Sequence, residues 1–231
     1  MYKKMLMILG LMTLILTIFL QAFAEQTVRN VFSEAFRSAA ITAYEEGTFV
    51  GQAHYVDVLS WPENVPGYDK DRYLRVNTPF FGCILALPEG SPDAEVYFEK
   101  AVRLAFDMNA LHLFDSLESI TSDNVLRPQT IEIIGGYFDG VITEKDGNNI
   151  TMSALYDSDE FQKDDILSFV INHQTLVMRY EDDIEETKRT GVPTVIFYRS
   201  VGEEFELSVG DGCLVIYDDN MKVLTITKIP G

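Results

Sequence analysis

The hydrophobic positions change rhythm three times along the chain, and each change predicts a different kind of element. Met5 to Leu20 is an apolar run without a charge, preceded by Lys3 and Lys4 and closed by Gln21 to Ala24 before Glu25. From Val28 the apolar positions are Val31, Phe32, Ala35, Phe36, Ala39, Ala40 and Ala43, with Arg29, Asn30, Ser33, Glu34, Arg37, Ser38 and Thr42 on the other face. That i, i+3, i+4, i+7 spacing predicts an amphipathic helix, and Gly47 predicts its end. Gly10 alone interrupts residues 5–46 and no proline does, so a single helical rod about 63 Å long is sterically allowed.

The middle of the chain mixes aromatic residues with turn formers. Phe49 to Leu59 contains the alternating Val56-Asp57-Val58, and Trp61-Pro62 and Val65-Pro66-Gly67-Tyr68 read as turns. Tyr73 to Val76 and Phe80 to Leu87 are expected strands. A second helix is expected from Ser91 as cap and Pro92 at the first position, with Asp93 and Glu95 near the positive end of its dipole. Val96, Phe98, Ala101, Val102, Ala105 and Met108 would form its apolar face, reaching Leu117.

From Thr130 the period shortens towards two. Strands are expected at Ile131 to Ile134, Tyr137 to Thr143 and Ile150 to Tyr156, with Lys145-Asp146-Gly147-Asn148-Asn149 as a hairpin turn. Ile166 to Tyr180 reads as strand or helix, and Glu181 to Arg189 as a charged helix or loop ending at Gly191. Val192 to Ser200, Phe205 to Val209, Cys213 to Tyr217 and Val223 to Ile229 are expected strands, Asp218-Asp219-Asn220 turning the last hairpin. The expected fold class is α+β: a long N-terminal hydrophobic-then-amphipathic helix, a second helix and a C-terminal antiparallel β-sheet.

Residues 1–24 have the form of an export signal, which is either cleaved or kept. Lys3 and Lys4, the apolar run and Ala22-Phe23-Ala24 match a signal peptide cut before Glu25. Residues 5–24 are also about as long as a helix crossing ~30 Å of hydrocarbon requires. Either way the leading charges direct the remainder outward. The expected organisation is a signal peptide or membrane anchor over 1–24, an amphipathic helix over 25–46 and an acidic extracytoplasmic α+β domain over 47–231.

Charge narrows the partners. Of the 18 Lys+Arg, Lys3 and Lys4 lie in the leading segment, which leaves 16 against 36 Asp+Glu in the exported part. Such a surface repels phosphate backbones and anionic headgroups, so nucleic acid is excluded and membrane attachment would run through residues 5–24. Cys83 and Cys213 permit one disulfide in an exported chain; both also sit in apolar, strand-like runs where a free Cys is a small buried hydrophobe.

A hydrophobic-then-amphipathic N-terminal helix followed by a strand-rich body resembles the type IV pilin and pseudopilin architecture, TadE-like members included. The prepilin cleavage pattern is not matched: Gly10 is followed by Leu11, and the fifth residue after it is Ile15, where a Glu belongs. The resemblance implies assembly by helix packing, other subunits meeting the 28–43 face through Ala35, Ala39, Ala40 and Ala43.

Chemistry is sparse. His54, His112 and His173 stand alone, and the chain has no nucleophile elbow, phosphate loop or dinucleotide fingerprint. No catalytic, cofactor-binding or metal-ligating residue is nominated. Asp157-Ser158-Asp159-Glu160 with Asp164-Asp165 begins like a calcium loop, but Gln162 and Ser168 stand where Gly and Glu belong. Asp69-Lys70-Asp71 and Glu181-Asp182-Asp183 with Glu185-Glu186 are the other acidic clusters, suited at most to weak surface Ca²⁺ binding and otherwise to solvation. The expected function is a non-enzymatic, membrane-anchored extracytoplasmic protein, pseudopilin-like, in a pilus, secretion or conjugation assembly. The alternatives are a signal-cleaved secreted binding domain, and an extracytoplasmic hydrolase in which two of the histidines converge with carboxylates in one cleft.

Overall fold

The structure is a computed structural model describing residues 27–56, 61, 69–107, 109, 120, 124–158, 160–202 and 207–229. Among them strands dominate: β1 (Thr27–Phe32), β2 (Thr48–His54), β3 (Tyr73–Asn77), β4 (Gly82–Ala86), β5 (Lys100–Ala105), β6 (Val125–Leu126), β7 (Thr130–Asp146), β8 (Asn149–Ala154), β9 (Ile166–Val170), β10 (Leu176–Asp182), β11 (Thr194–Val201), β12 (Gly212–Asp218) and β13 (Val223–Lys228). The described α-helices are short, α1 (Glu34–Glu46) and α2 (Ile184–Thr190). The described residues divide into two compact units, one within 32–179 and 199–229, the other within 27–31 and 180–198.

In the larger unit the strand order is β10-β13-β12-β7-β5-β2-β3-β4-β6, with β8 on β7 and β9 on β8. Most pairs are antiparallel; β10 with β13 and β4 with β6 are parallel. β7 is the spine. Its 17 residues alternate faces, which buries Phe138 and Ile142 on one side, while Ile134, before the register shift at Gly135, is buried with Ala101 and Ile216. Asp146 pairs with Asn149, so Gly147-Asn148 forms a two-residue turn that uses the positive φ of Gly147, 56°. One edge of β7 lies against β12 from Gly135 to Val141. On the other edge the partner changes: β5 ends opposite Gly136 at Lys100, and β8 begins opposite Gly140 at Ala154. Two glycines make this crowding possible, since a Cβ on Gly135 would lie 2.0 Å from the Tyr217 carbonyl oxygen and one on Gly140 2.5 Å from that of Ser153.

The core falls on either side of this spine. One cluster gathers Phe49, Leu74, Cys83, Leu85, Tyr97, Val102, Leu104 and Phe106; a second gathers Phe138, Ile142, Ile150, Met152, Phe169, Cys213, Val215, Tyr217 and Ile226; a small third joins Ala101, Ile134 and Ile216. Cys83 and Cys213 are free and belong to different clusters, and burial pushes each thiol up to about 12.

In the smaller unit Tyr180 stacks on Phe197 at 4.2 Å and 5°, and Arg29 meets Asp183 at 3.5 Å. Asp183 caps α2 by accepting the Glu186 N–H at 3.0 Å, and Gly191 ends the helix at φ 73°. Of the helix or loop expected over Glu181 to Arg189, a helix forms from Ile184, and Glu181 and Asp182 belong to β10.

The expected α+β fold is corrected to a mostly β one. The long helix does not form over 25–46, because Thr27–Phe32 is a strand rich in β-branched residues and α1 starts only after Ser33. Ser33 is extended, at φ −68° and ψ 160°, and accepts the Phe36 N–H at 3.1 Å; such a cap stops a helix from continuing backwards. No helix among the described residues is long and apolar enough to cross a membrane. The transmembrane and pilin-like reading, and membrane attachment through residues 5–24, are corrected accordingly; residues 1–24 lie outside those described. Nor does the 28–43 face await another subunit as a helix stripe. Phe36 is buried, Ala40, Ala43 and Tyr44 pack on the first cluster of their own unit, and Ala35 is exposed.

The second expected helix is likewise replaced. After a single 3-10 turn, Ala94–Tyr97, the chain passes through Glu99 at φ 59° and enters β5. β5 pairs with β2 on one side and β7 on the other, and two ladders outweigh a helical period. Residues 108 and 110–117 of the expected helix lie outside those described. So do 205–206 of the strand expected at Phe205 to Val209, while 207–209 are not strand.

Candidate functional site

Where β7 exchanges β5 for β8 the two strands diverge, and a cleft of about 560 Å³ opens beside the spine. Its lining is His54 and Tyr55 from the end of β2, Glu95, Phe98, Glu99 and Lys100 from the turn into β5, Tyr137 of β7, and Ser158, Glu160 and Phe161 from the loop after β8. A second cavity of about 100 Å³ shares Tyr137, Ser158 and Phe161 with it and adds Phe138, Asp139, Ala154, Tyr156 and Asp157. A site at such a divergence follows from the topology, because strands that separate leave a crevice no side chain of the ladder fills.

Each wall has a local cause. The Glu99 N–H donates to the Ala53 carbonyl at 2.9 Å, pinning the Phe98-Glu99-Lys100 turn beside His54. Glu99 is held at positive φ, a conformation L side chains resist and one that clusters at functional positions. Tyr55 and Phe98 meet edge to face, 5.8 Å apart at 89°. On the opposite wall the Ser158 hydroxyl accepts the Phe161 N–H at 3.0 Å, and Phe161 packs edge to face on Phe138 at 5.1 Å. Lys100 reaches across the cleft to an ion pair with Glu160. Gly136 must stay bare between them, since its Cβ would lie 2.7 Å from the Tyr217 hydroxyl and 3.4 Å from Glu160 Oε2.

The electrostatics follow from burial. Desolvation lowers the His54 pKa below 6.5, with Glu99 opposing and Arg75 assisting, so the imidazole is neutral near neutral pH. Arg75 stands opposite His54 in the β2–β3 register. Asp139 in the smaller cavity has its pKa raised by burial, and its Oδ1 is buried with no hydrogen-bond partner among the described residues.

Of the two described histidines only His54 reaches the cleft, His173 sitting in the Asn172–Thr175 turn; His112 lies outside the described residues. The acidic clusters serve their own backbones. Asp157 accepts the Lys163 N–H at 2.8 Å and Asp165 the Gln162 N–H at 2.8 Å, while Asp69 accepts the Asp71 N–H at 3.0 Å. Asp183 caps α2, and Glu186 is held below the usual carboxylate range by its Arg189 hydrogen bond. Among the described residues no three His, Cys, Asp or Glu side chains are placed to hold a metal ion.

Sequence reasoning singled out His54 and the 157–160 loop but not Tyr55, Glu95, Phe98, Glu99, Lys100, Tyr137, Asp139 or Phe161. The available signal was Gly135-Gly136-Tyr137-Phe138-Asp139-Gly140, since glycines within a strand mark close backbone approach. No protein-family model and no curated protein matches the chain.

Proposed function

We propose that this chain is an exported, non-enzymatic binding protein whose ligand occupies the cleft where β7 changes partners. The cleft itself carries the reading: about 560 Å³ is in the range of small-molecule sites, and the wall joins aromatic faces to a few convergent polar groups. Tyr55, Phe98 and Phe161 offer apolar ring surfaces, while His54, Ser158 and the carboxylates supply orientation. Export is supported by Lys3 and Lys4, the uncharged run to Leu20 and the Ala22-Phe23-Ala24 site, which would release a chain beginning at Glu25.

The test is thermal denaturation of the purified protein against sugars, amino acids, amines and short peptides, beside Tyr55→Ala and Phe161→Ala. A ligand at a hundredfold over its Kd stabilises by about 2.7 kcal/mol. One class should raise Tm for the parent and fail to do so for both variants. No stabilising class, or an equal shift in the variants, refutes the reading.

A further inference from the structure

The charged groups around the cleft are unequal in sign: carboxylates outnumber cations. Three carboxylates, Glu95, Glu99 and Glu160, face one ammonium, Lys100, and that ammonium is committed to Glu160. His54 is neutral and adds no positive charge near neutral pH. Next door, Asp139 presents a buried carboxylate oxygen with no partner among the described residues; an ionised carboxylate only accepts, so only a donor can satisfy it. The aromatic walls have the same preference, because ring faces attract cations. The whole chain carries a net charge of −18, and a concave site of one sign concentrates ions of the other.

We propose that the ligand is an organic cation: a small molecule with an apolar or aromatic body against Tyr55 and Phe98 and an ammonium directed to the Glu95 and Glu99 carboxylates. This rests on the cleft being the binding site. Anionic ligands are disfavoured by the same charges, and a neutral ligand can donate to the carboxylates but does not offset their charge.

Benzylamine, benzyl alcohol and benzoate share one ring and differ in charge, so titration calorimetry of the purified protein with each isolates the charge term. Benzylamine should bind about tenfold more tightly than benzyl alcohol, and benzoate more weakly than either. A Glu95→Gln/Glu99→Gln variant should lose that preference while still binding benzyl alcohol, and Phe98→Ala should weaken all of the probes that bind. Added salt should erode the preference. Circular dichroism melts establish that each variant is folded. Equal binding of benzylamine and benzyl alcohol, lost together in Phe98→Ala, overturns the cation inference and leaves the binding reading standing. Binding of no probe, or binding indifferent to Phe98→Ala, overturns the cation inference, and thermal screening then decides the binding reading separately.

Discussion

The two larger hydrophobic clusters are built on different plans. In the first, Phe49 is a hub: it meets Phe81 at 4.9 Å, Phe106 at 5.9 Å and Phe80 at 6.2 Å, all edge to face, and it is fully buried under strands and α1. In the second the rings form a chain, Phe161 to Phe138 to Phe169 to Tyr217, at 5.1, 5.5 and 5.1 Å. The three ring contacts of the hub do not include a cleft residue, although Phe98 packs on the margin of the same cluster, so they bear chiefly on stability. The chain ends in the wall of the cleft, so the packing of the second cluster sets the position of a ligand-contacting ring.

That difference can be broken by truncation. Phe49→Ala should cost about 3–5 kcal/mol in urea unfolding, yet at a temperature where the variant is folded the affinity of the cleft for benzylamine should be unchanged. Phe138→Ala should cost slightly less, because part of its neighbour Phe161 is solvent-exposed, and should also weaken benzylamine. If both variants leave affinity untouched, or both reduce it equally, the contrast between hub and chain fails.

The spine between the clusters gives the next largest effect. Gly135→Ala places a Cβ against backbone that cannot swing away, and about 2–3 kcal/mol should be lost in the same unfolding experiment. A neutral result would mean that β7 and β12 separate more easily than their register implies.

The smallest effects sharpen the electrostatics of the cleft. Asp139 has a raised pKa, so its ionised form is less favourable folded than unfolded, and that handicap grows as pH rises from the ordinary 3.8 through the folded value. Asp139→Asn should therefore raise Tm at neutral pH by on the order of 1 °C, and the gain should vanish in strong acid, where the carboxyl is neutral in both states. His54 has a lowered pKa, so the unfolded chain takes up a proton first and stability falls as pH drops below 6.5. His54→Gln should flatten that part of the Tm–pH curve, and an unchanged curve would remove His54 from the electrostatics of the cleft.

Much of the strand content was legible because period-two alternation and turn chemistry are local. Tyr73–Asn77, the Gly147-Asn148 hairpin, Gly212–Asp218 and Val223–Lys228 all show it. The two misread helices share one cause. Residues 28–32 and 96–105 carry apolar positions that satisfy a helical period as well as a strand one, and the choice was made elsewhere: by the extended Ser33 cap, by Glu99 in the left-handed region, and by pairing of β5 with two strands far away in sequence. The cleft was illegible for a related reason. It exists only because one edge of β7 is shared between β5 and β8, and no residue type announces where a strand will change partners.

The most direct test of a ligand site at that change of partners is an aromatic ¹H–¹³C NMR titration of the protein with benzylamine. The resonances of Tyr55, Phe98, Tyr137 and Phe161 should shift in a saturable way while those of Phe49, Phe81 and Phe106 stay in place. Unmoved cleft resonances, or shifts of equal size in the buried hub, would contradict the account.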